Sequence, residues 1–276
     1  MLKDIAVLLP IDRPAGALID YAASLAKRFE AHLDGIACVY QSMNPMIASE
    51  AAAVAMGADY DSGADRAAAA VLDQFELATR TLDVEHDARS TFDVSFAATR
   101  TLTGMSRLYD LNVVAQPDRA NPSATDFLAE TILFGSGRPL LLVPYIARGA
   151  FSCDRILICW DGSLPAARAM HDALPFLRKA QTIDVVTVNE PENSDGNAAA
   201  AALQAHLARR DLAVRPFRLT ASGANIHNAI LSLAADNATD LIVMGGYGHS
   251  KLREFILGGT TRGIFESLTV PALISH

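Results

Sequence analysis

The chain has 276 residues, of which half are apolar, a fifth are charged and 7% are aromatic, and its formal net charge is −8. That length allows one large domain or two ordinary ones with a sizeable core. The acidic balance excludes a chain built mainly to coat nucleic acid or an anionic membrane.

The three cysteines, Cys38, Cys153 and Cys159, form no CxxC pair and no metal-ligand spacing. So sparse a count fits a reducing compartment. No apolar run approaches membrane-spanning length. The opening "MLKDIAVLLP" is too short for a signal-peptide core and reads as a first strand. A cytoplasmic location with no membrane partner is the expectation.

Taken in order, "KDIAVLLPIDRPAGALIDYAASLAKRFEAHLDGIACVY" reads as a strand, a Pro-containing turn, an alanine-rich helix and a second strand. An additional stretch follows, from Gln41 to Leu82. Its apolar spacing predicts two helices, Met46–Met56 and Ala64–Leu82. "YDLNVVAQPD" supplies a strand, Gly135 and Gly137 end a helix, and "RPLLLVP" supplies a last strand. "YIARGAFSC" reads as a linker.

The second part predicts strands at Arg155–Trp160, Ile183–Val188, Val214–Leu219, Leu241–Met244 and Val270–Ile274. Their β-branched, weakly alternating composition is that of strands buried on both faces. Helices are predicted at Pro165–Lys179, Asn197–Arg210, Ile226–Asn237 and Thr260–Ser267.

The two parts repeat one another. "CDRILICWDGSLPAARAMHDALPFLRKAQTIDVVTVNE" follows the plan of the opening segment, Asp110 falls opposite Asp240, and Pro139 falls opposite Pro271. A repeat this long is a duplicated domain. The expected boundaries are 1–146 and 153–276, each an α/β domain with a doubly wound, five-stranded parallel sheet. The apolar last strands of the two halves are expected at sheet edges, open to strand pairing.

Ligands of such sheets bind at the carboxyl ends of the strands. There the second half carries "VMGGYGHSKLREFILGGTTRGIFESL", with five of the chain's 17 glycines in its first part. Gly245, Gly246 and Gly248 let backbone amides approach a ligand without a Cβ between. Gly258 and Gly259 precede Thr260 and Thr261 at a predicted helix start, where free amides favour an anion. His249, Lys251 and Arg253 add positive charge to the loop. Asp161, in "CWDGS", is placed to accept from a ribose hydroxyl or an adenine amine. The same Asp-Gly-Ser also reads as a turn and N-cap. His32, His86, His171, His206, His227 and His276 show no ligand spacing, so no metal site is expected.

Together these residues resemble the universal stress protein family in its tandem form. Gly245, Gly248 and Gly258 reproduce the family's Gly, two residues, Gly, nine residues, Gly spacing, and Asp161 matches its first-strand aspartate. The resemblance implies binding of ATP, or of AMP or ADP, with or without Mg2+, and a role in stress tolerance. Carried over, Cys159 and Val188 flank the adenine and Asp161 holds base or ribose. Gly245, Tyr247 and Gly248 wrap the ribose and α-phosphate, and Gly258, Gly259, Thr260 and Thr261 meet the outer phosphates. It also implies pairing of the two domains within the chain and association into a homodimer. A regulatory protein partner would read the nucleotide state.

Gly259 departs from the family's Ser or Thr, and Tyr247 stands where a basic residue is frequent. No Walker sequence and no acid/base pair is present. The expectation is therefore a sensor or switch with no catalytic residue and at most weak ATP hydrolysis. The alternative is an interaction module whose sites are vestigial. In the first half, Pro10 lies opposite Asp161, and Ala115, Gln116, Pro117 and Asp118 lie opposite the glycines. That half is expected to bind no nucleotide.

Overall fold

The computed structural model describes residues 1–41, 50–94, 97–118, 120–123, 125–189, 195–222, 225–246 and 267–276. Within them strands and helices alternate along the chain. The chain divides into two compact units. One comprises Leu2–Arg138 with Arg148–Phe151, and the other Pro139–Ala147 with Ser152–His276.

The first unit contains β1 (Asp4–Pro10), α1 (Gly16–Phe29), β2 (His32–Gln41), α2 (Glu50–Thr81), β3 (His86–Val94), α3 (Ala97–Ser106), β4 (Leu111–Ala115) and α4 (Leu128–Gly135). Its strands are parallel, in the order β3-β2-β1-β4. β1 is buried from Ile5 to Pro10, which is why its apolar residues run without alternation. Helix α1 buries Leu18, Ile19, Ala22, Leu25 and Ala26, a stripe at the three-and-four spacing of one helix face.

The Gln41–Leu82 stretch differs from its sequence reading. In place of two helices, α2 is continuous from Glu50 to Thr81, and residues 42–49 lie outside the described residues. Gly57 and Gly63 cost the helix about 1 kcal/mol each relative to alanine, and the weak formers Asp59–Ser62 lie between them. Packing of Ala68, Val71 and Phe75 into the core outweighs that. Phe75 fits because β2 carries glycine beneath it. A Cβ on Gly35 would come within 2.7 Å of the Phe75 ring.

The second unit contains β5 (Leu140–Val143), β6 (Arg155–Cys159), α5 (Leu164–Asp172), α6 (Leu174–Leu177), β7 (Thr182–Val188), α7 (Asp195–Ala208), β8 (Val214–Leu219), α8 (Ile226–Asp236), β9 (Leu241–Gly245) and β10 (Ala272–Ser275). The strand order is β5-β10-β9-β6-β7-β8, parallel from β10 to β8. β5 alone runs antiparallel, pairing Leu141 with Leu273 and Leu140 with Ile274. β5 and β10, the last strands of the two halves in the sequence reading, are buried along their whole length and pair with each other, as apolar strands open to pairing were expected to do.

Two further readings are corrected. The helix expected over Pro165–Lys179 breaks at Ala173 into α5 and α6. Pro175 lacks an N–H, and its ring crowds the carbonyl four residues back. β8, expected to be buried on both faces, exposes Arg215, Pro216 and Arg218 as the outer strand of this order. The anticipated equivalence of Asp110 and Asp240 holds in atomic detail. Asp110 Oδ2 accepts from Lys3 N at 2.7 Å, and Asp240 Oδ2 accepts from Arg155 N at 2.9 Å.

Candidate functional site

The chain leaves β6 for β7 and then β8 on one side, and returns to the other side of β6 at β9. The order reverses between β6 and β9, and the crevice beyond their carboxyl ends is where open α/β sheets take ligands. Cys159, the last residue of β6, stands in register with Val186 on one side and Met244 on the other. Trp160 continues the ladder, its N–H donating to Val186 O at 2.9 Å. The ends of three strands thus bring Cys159, Asp161, Val188 and Gly245 to one rim.

Asp161 begins a tight turn. Ser163 N donates to Asp161 Oδ1 at 3.0 Å, and Gly162 takes a left-handed φ of 73°. Ser163 then caps α5, its Oγ accepting from Ala166 N at 3.2 Å, with Pro165 in the first turn. The turn-and-cap reading of Asp-Gly-Ser is therefore realised. It leaves Asp161 exposed at the mouth of the crevice, beside the positive end of α5.

Gly245 ends β9 directly against that helix. A Cβ there would lie 2.5 Å from Ala166 N and 2.7 Å from the Pro165 carbonyl carbon. Only glycine permits so close an approach, a packing role that the spacing of the glycines did not reveal. Gly246 is held by the last strand: its N–H donates to Ser275 O at 2.8 Å, and its carbonyl oxygen accepts from His276 Nδ1 at 2.9 Å. Ser275 Oγ donates to Asp172 Oδ2 at 2.8 Å, and Arg168 donates to the main-chain oxygen of His276 at 2.8 Å. Sequence reasoning had no signal for these residues, because the contacts join segments distant in the chain.

The remaining rim residues are apolar or fixed. Burial, with the Asp161 carboxylate nearby, pushes the Cys159 thiol up to about 12, so it stays neutral and is a poor nucleophile at neutral pH. Val188 is half-buried at the end of β7. Asn189 after it takes a φ of 56°, and its side chain clamps Ala221. It donates to Ala221 O at 2.7 Å and accepts from Ala221 N at 2.9 Å, which fixes the ends of β7 and β8 together. Tyr247, Gly248, His249, Gly258, Gly259, Thr260 and Thr261 lie outside the described residues.

The same place in the first unit is built otherwise. By strand register Pro10 takes the position of Asp161, and Ala115 that of Gly245. Side chains tie the two loops together across the strand ends. Ser123 Oγ donates to Asp12 Oδ2 at 2.6 Å, and Arg13 donates to Asp126 Oδ1 at 2.6 Å. Asp126 Oδ2 also accepts from Ser123 N at 2.8 Å. Asp118 accepts from Asn121 Nδ2 and Ala120 N, and the Asn121 amide foremost holds its carboxyl below the ordinary carboxylate range. Gln116 is buried, and neither end of its amide has a partner among the described residues.

Comparison with known proteins agrees with this architecture. The profile described as the universal stress protein family matches residues 153–276. Universal stress protein Slr1230 of Synechocystis is 27% identical over 147 residues, covering 52% of this chain and 49% of that protein. Universal stress protein MJ0577 of Methanocaldococcus jannaschii is 33% identical over 48 residues, covering 17% of this chain and 30% of its own length. The chain thus spans about half the length of the first of these relatives and less of the second.

Among solved structures, a universal stress protein from Archaeoglobus fulgidus superposes over 98% of this chain and 97% of its own, with a TM-score of 0.74 at 17% identity. A functionally unknown protein, PA1789, from Pseudomonas aeruginosa superposes over 99% of this chain and 92% of its own, with a TM-score of 0.62 at 17% identity. Such identities speak for the fold alone. Residues 153–276 thus match the universal stress protein family in sequence, and the chain shares its fold with the Archaeoglobus protein along nearly its whole length.

Proposed function

We propose that residues 153–276 bind ATP or a related adenine nucleotide, AMP or ADP, at the carboxyl ends of β6, β7 and β9. On this reading the chain is a nucleotide-dependent sensor in the stress response and not an efficient enzyme. The observation that carries it is the exposed Asp161 carboxylate at the crossover of β6 and β9, beside the N-terminus of α5. A carboxylate there accepts from ribose hydroxyls or an adenine amine. The apolar rim of Cys159 and Val188 suits the face of a base. The spacing of Gly245, Gly248 and Gly258, with Tyr247, His249, Gly259, Thr260 and Thr261, supplies amides, hydroxyls and charge for a phosphate tail, with Mg2+ accompanying a triphosphate.

Binding without efficient turnover is the reading that the described residues support. At the described rim Asp161 Oδ1 is engaged with Ser163 N, the Cys159 thiol stays neutral, and His276 Nδ1 is tied to the Gly246 carbonyl. Nucleotide would instead order the loop after Gly246 and change the surface that a regulatory protein partner meets.

Calorimetric titration of the full chain with ATP tests the reading. Binding is expected, and Asp161→Ala should weaken it about tenfold or more, the value of a hydrogen bond to a charged group. No heat at millimolar ATP would contradict it. So would ATP turnover that Asp161→Ala abolishes. A second reading, an interaction module with a vestigial site, is favoured by Gly259 in place of a hydroxyl residue, and it predicts that silent titration.

A further inference from the structure

We propose that the first unit carries a binding site for a divalent transition metal, best matched by Zn2+, formed by His32, Asp34 and Asp87 at the amino-terminal ends of β2 and β3. They belong to the unit that does not contain the β6–β9 crevice, so the inference does not rest on nucleotide binding. His32 and Asp34 are two residues apart on β2 and share a face of the sheet. Asp87 is the register partner of Asp34 on the parallel strand β3, so its side chain joins that face.

The three donor atoms lie within 4.8 Å of one another. His32 Nε2 stands 3.7 Å from Asp34 Oδ1 and 3.4 Å from Asp87 Oδ2. Those separations are long for hydrogen bonds. They suit donors around one ion: atoms about 2.0–2.2 Å from a tetrahedral zinc stand about 3.4 Å apart.

Asp34 gives the independent indication. It is 8% exposed, and Arg89 at 2.8 Å and the Tyr109 hydroxyl both donate to its Oδ2. Its Oδ1 is buried, faces His32, and has no hydrogen-bond partner among the described residues. A buried carboxylate oxygen left unpaired is costly, and a cation would satisfy it.

The second half shows what the usual arrangement would be. There the equivalent Asp184 is held through both oxygens by Arg215, its register partner, at 2.7 and 2.9 Å. In the first half the register partner is a second acid, Asp87, and the arginine sits two residues further along as Arg89. At the register position a carboxylate stands where the second half has a guanidinium, and Arg89 reaches only one oxygen of Asp34.

Arg89 and Tyr109 then act behind the ligand, fixing the Asp34 carboxylate so that Oδ1 points at the other two donors. One imidazole and two carboxylates form a mixed nitrogen and oxygen set that favours zinc over magnesium. The Asp87 side chain is 79% exposed, which leaves a path for the ion and for waters completing its coordination.

The test is titration of the metal-stripped full chain with Zn2+ against a chromophoric chelator, repeated on His32→Gln and Asp87→Asn. The wild-type chain is expected to take up one equivalent that each variant loses or binds at least about tenfold more weakly. Millimolar Mg2+ should not displace it. Asp87 is exposed, so Asp87→Asn should keep the wild-type unfolding midpoint without metal. If the wild-type chain takes up no zinc, His32 as a cation bridging the two carboxylates accounts for the cluster and the proposal fails. It fails equally if both variants match the wild-type chain in stoichiometry and affinity.

Discussion

The two halves run the same sequence of strands and helices but spend their side chains at opposite ends. In the second half the carboxyl ends of the strands are lined by a short turn, Asp161–Ser163, and a glycine pair, while the amino ends are closed by the Asp184–Arg215 pair. In the first half the carboxyl ends are tied by Asp12, Arg13, Ser123 and Asp126, while the amino ends gather His32, Asp34 and Asp87. Duplication has preserved the frame that burial enforces. It has left the loops and outer strand positions, where burial enforces little, free to diverge.

The largest expected break in the comparison is at α2, which runs for 32 residues where its counterpart in the second half, α7, runs for 14. Phe75 is fully buried over Gly35, whereas the second half has Val185 at the position of Gly35. Phe75→Ala should cost about 3–5 kcal/mol of unfolding free energy in urea. A loss below about 1 kcal/mol would mean that α2 is not part of the first core.

Next in size is the end of the fourth strand of each half. Gly245→Ala drives a methyl group into the backbone of α5 and should cost about 1–3 kcal/mol. The reverse change in the other half, Ala115→Gly, should cost only about 0.5–1 kcal/mol, through backbone entropy. Equal effects on the two urea midpoints would remove the distinction between a strand end pressed on a helix and one that is not.

The smallest effect sharpens the contrast between the helices that follow the first strand of each half. α5 is capped by Ser163, whereas Ala15 gives α1 no side-chain cap. Ser163→Ala should lower stability by about 1 kcal/mol. Calorimetric unfolding should show that loss, and no change at all would mean that Pro165 and the Asp161 turn suffice to start the helix.

Much of the frame was legible because it follows from local pattern. Unbroken apolar runs such as Ile5–Leu9 fix central strands, and the repeat fixed the equivalence of Asp110 with Asp240, which bond alike to the start of the first strand. What escaped depends on partners far along the chain. The continuity of α2 across Gly57 and Gly63 comes from tertiary packing, which local propensity does not report. The pairing of β5 with β10 was anticipated from their apolar composition, but the antiparallel direction of β5 was not, because "RPLLLVP" suits either direction. Chemistry was missed for the same reason. Ligand spacing along one strand would show His32 and Asp34, but Asp87 arrives by register from β3. The tether of Gly246 by Ser275 and His276 is likewise invisible until β10 is placed beside β9.

The central claim is that the second half alone keeps a nucleotide crevice, and it is tested most directly by the number of adenine nucleotides held per chain. Native mass spectrometry of the full chain, carried out as purified and after addition of ATP, should show one and never two, with that one lost in Asp161→Ala. Two equivalents, or one that survives Asp161→Ala and disappears when Arg13 and Ser123 are replaced, would place binding in the first half and contradict the account.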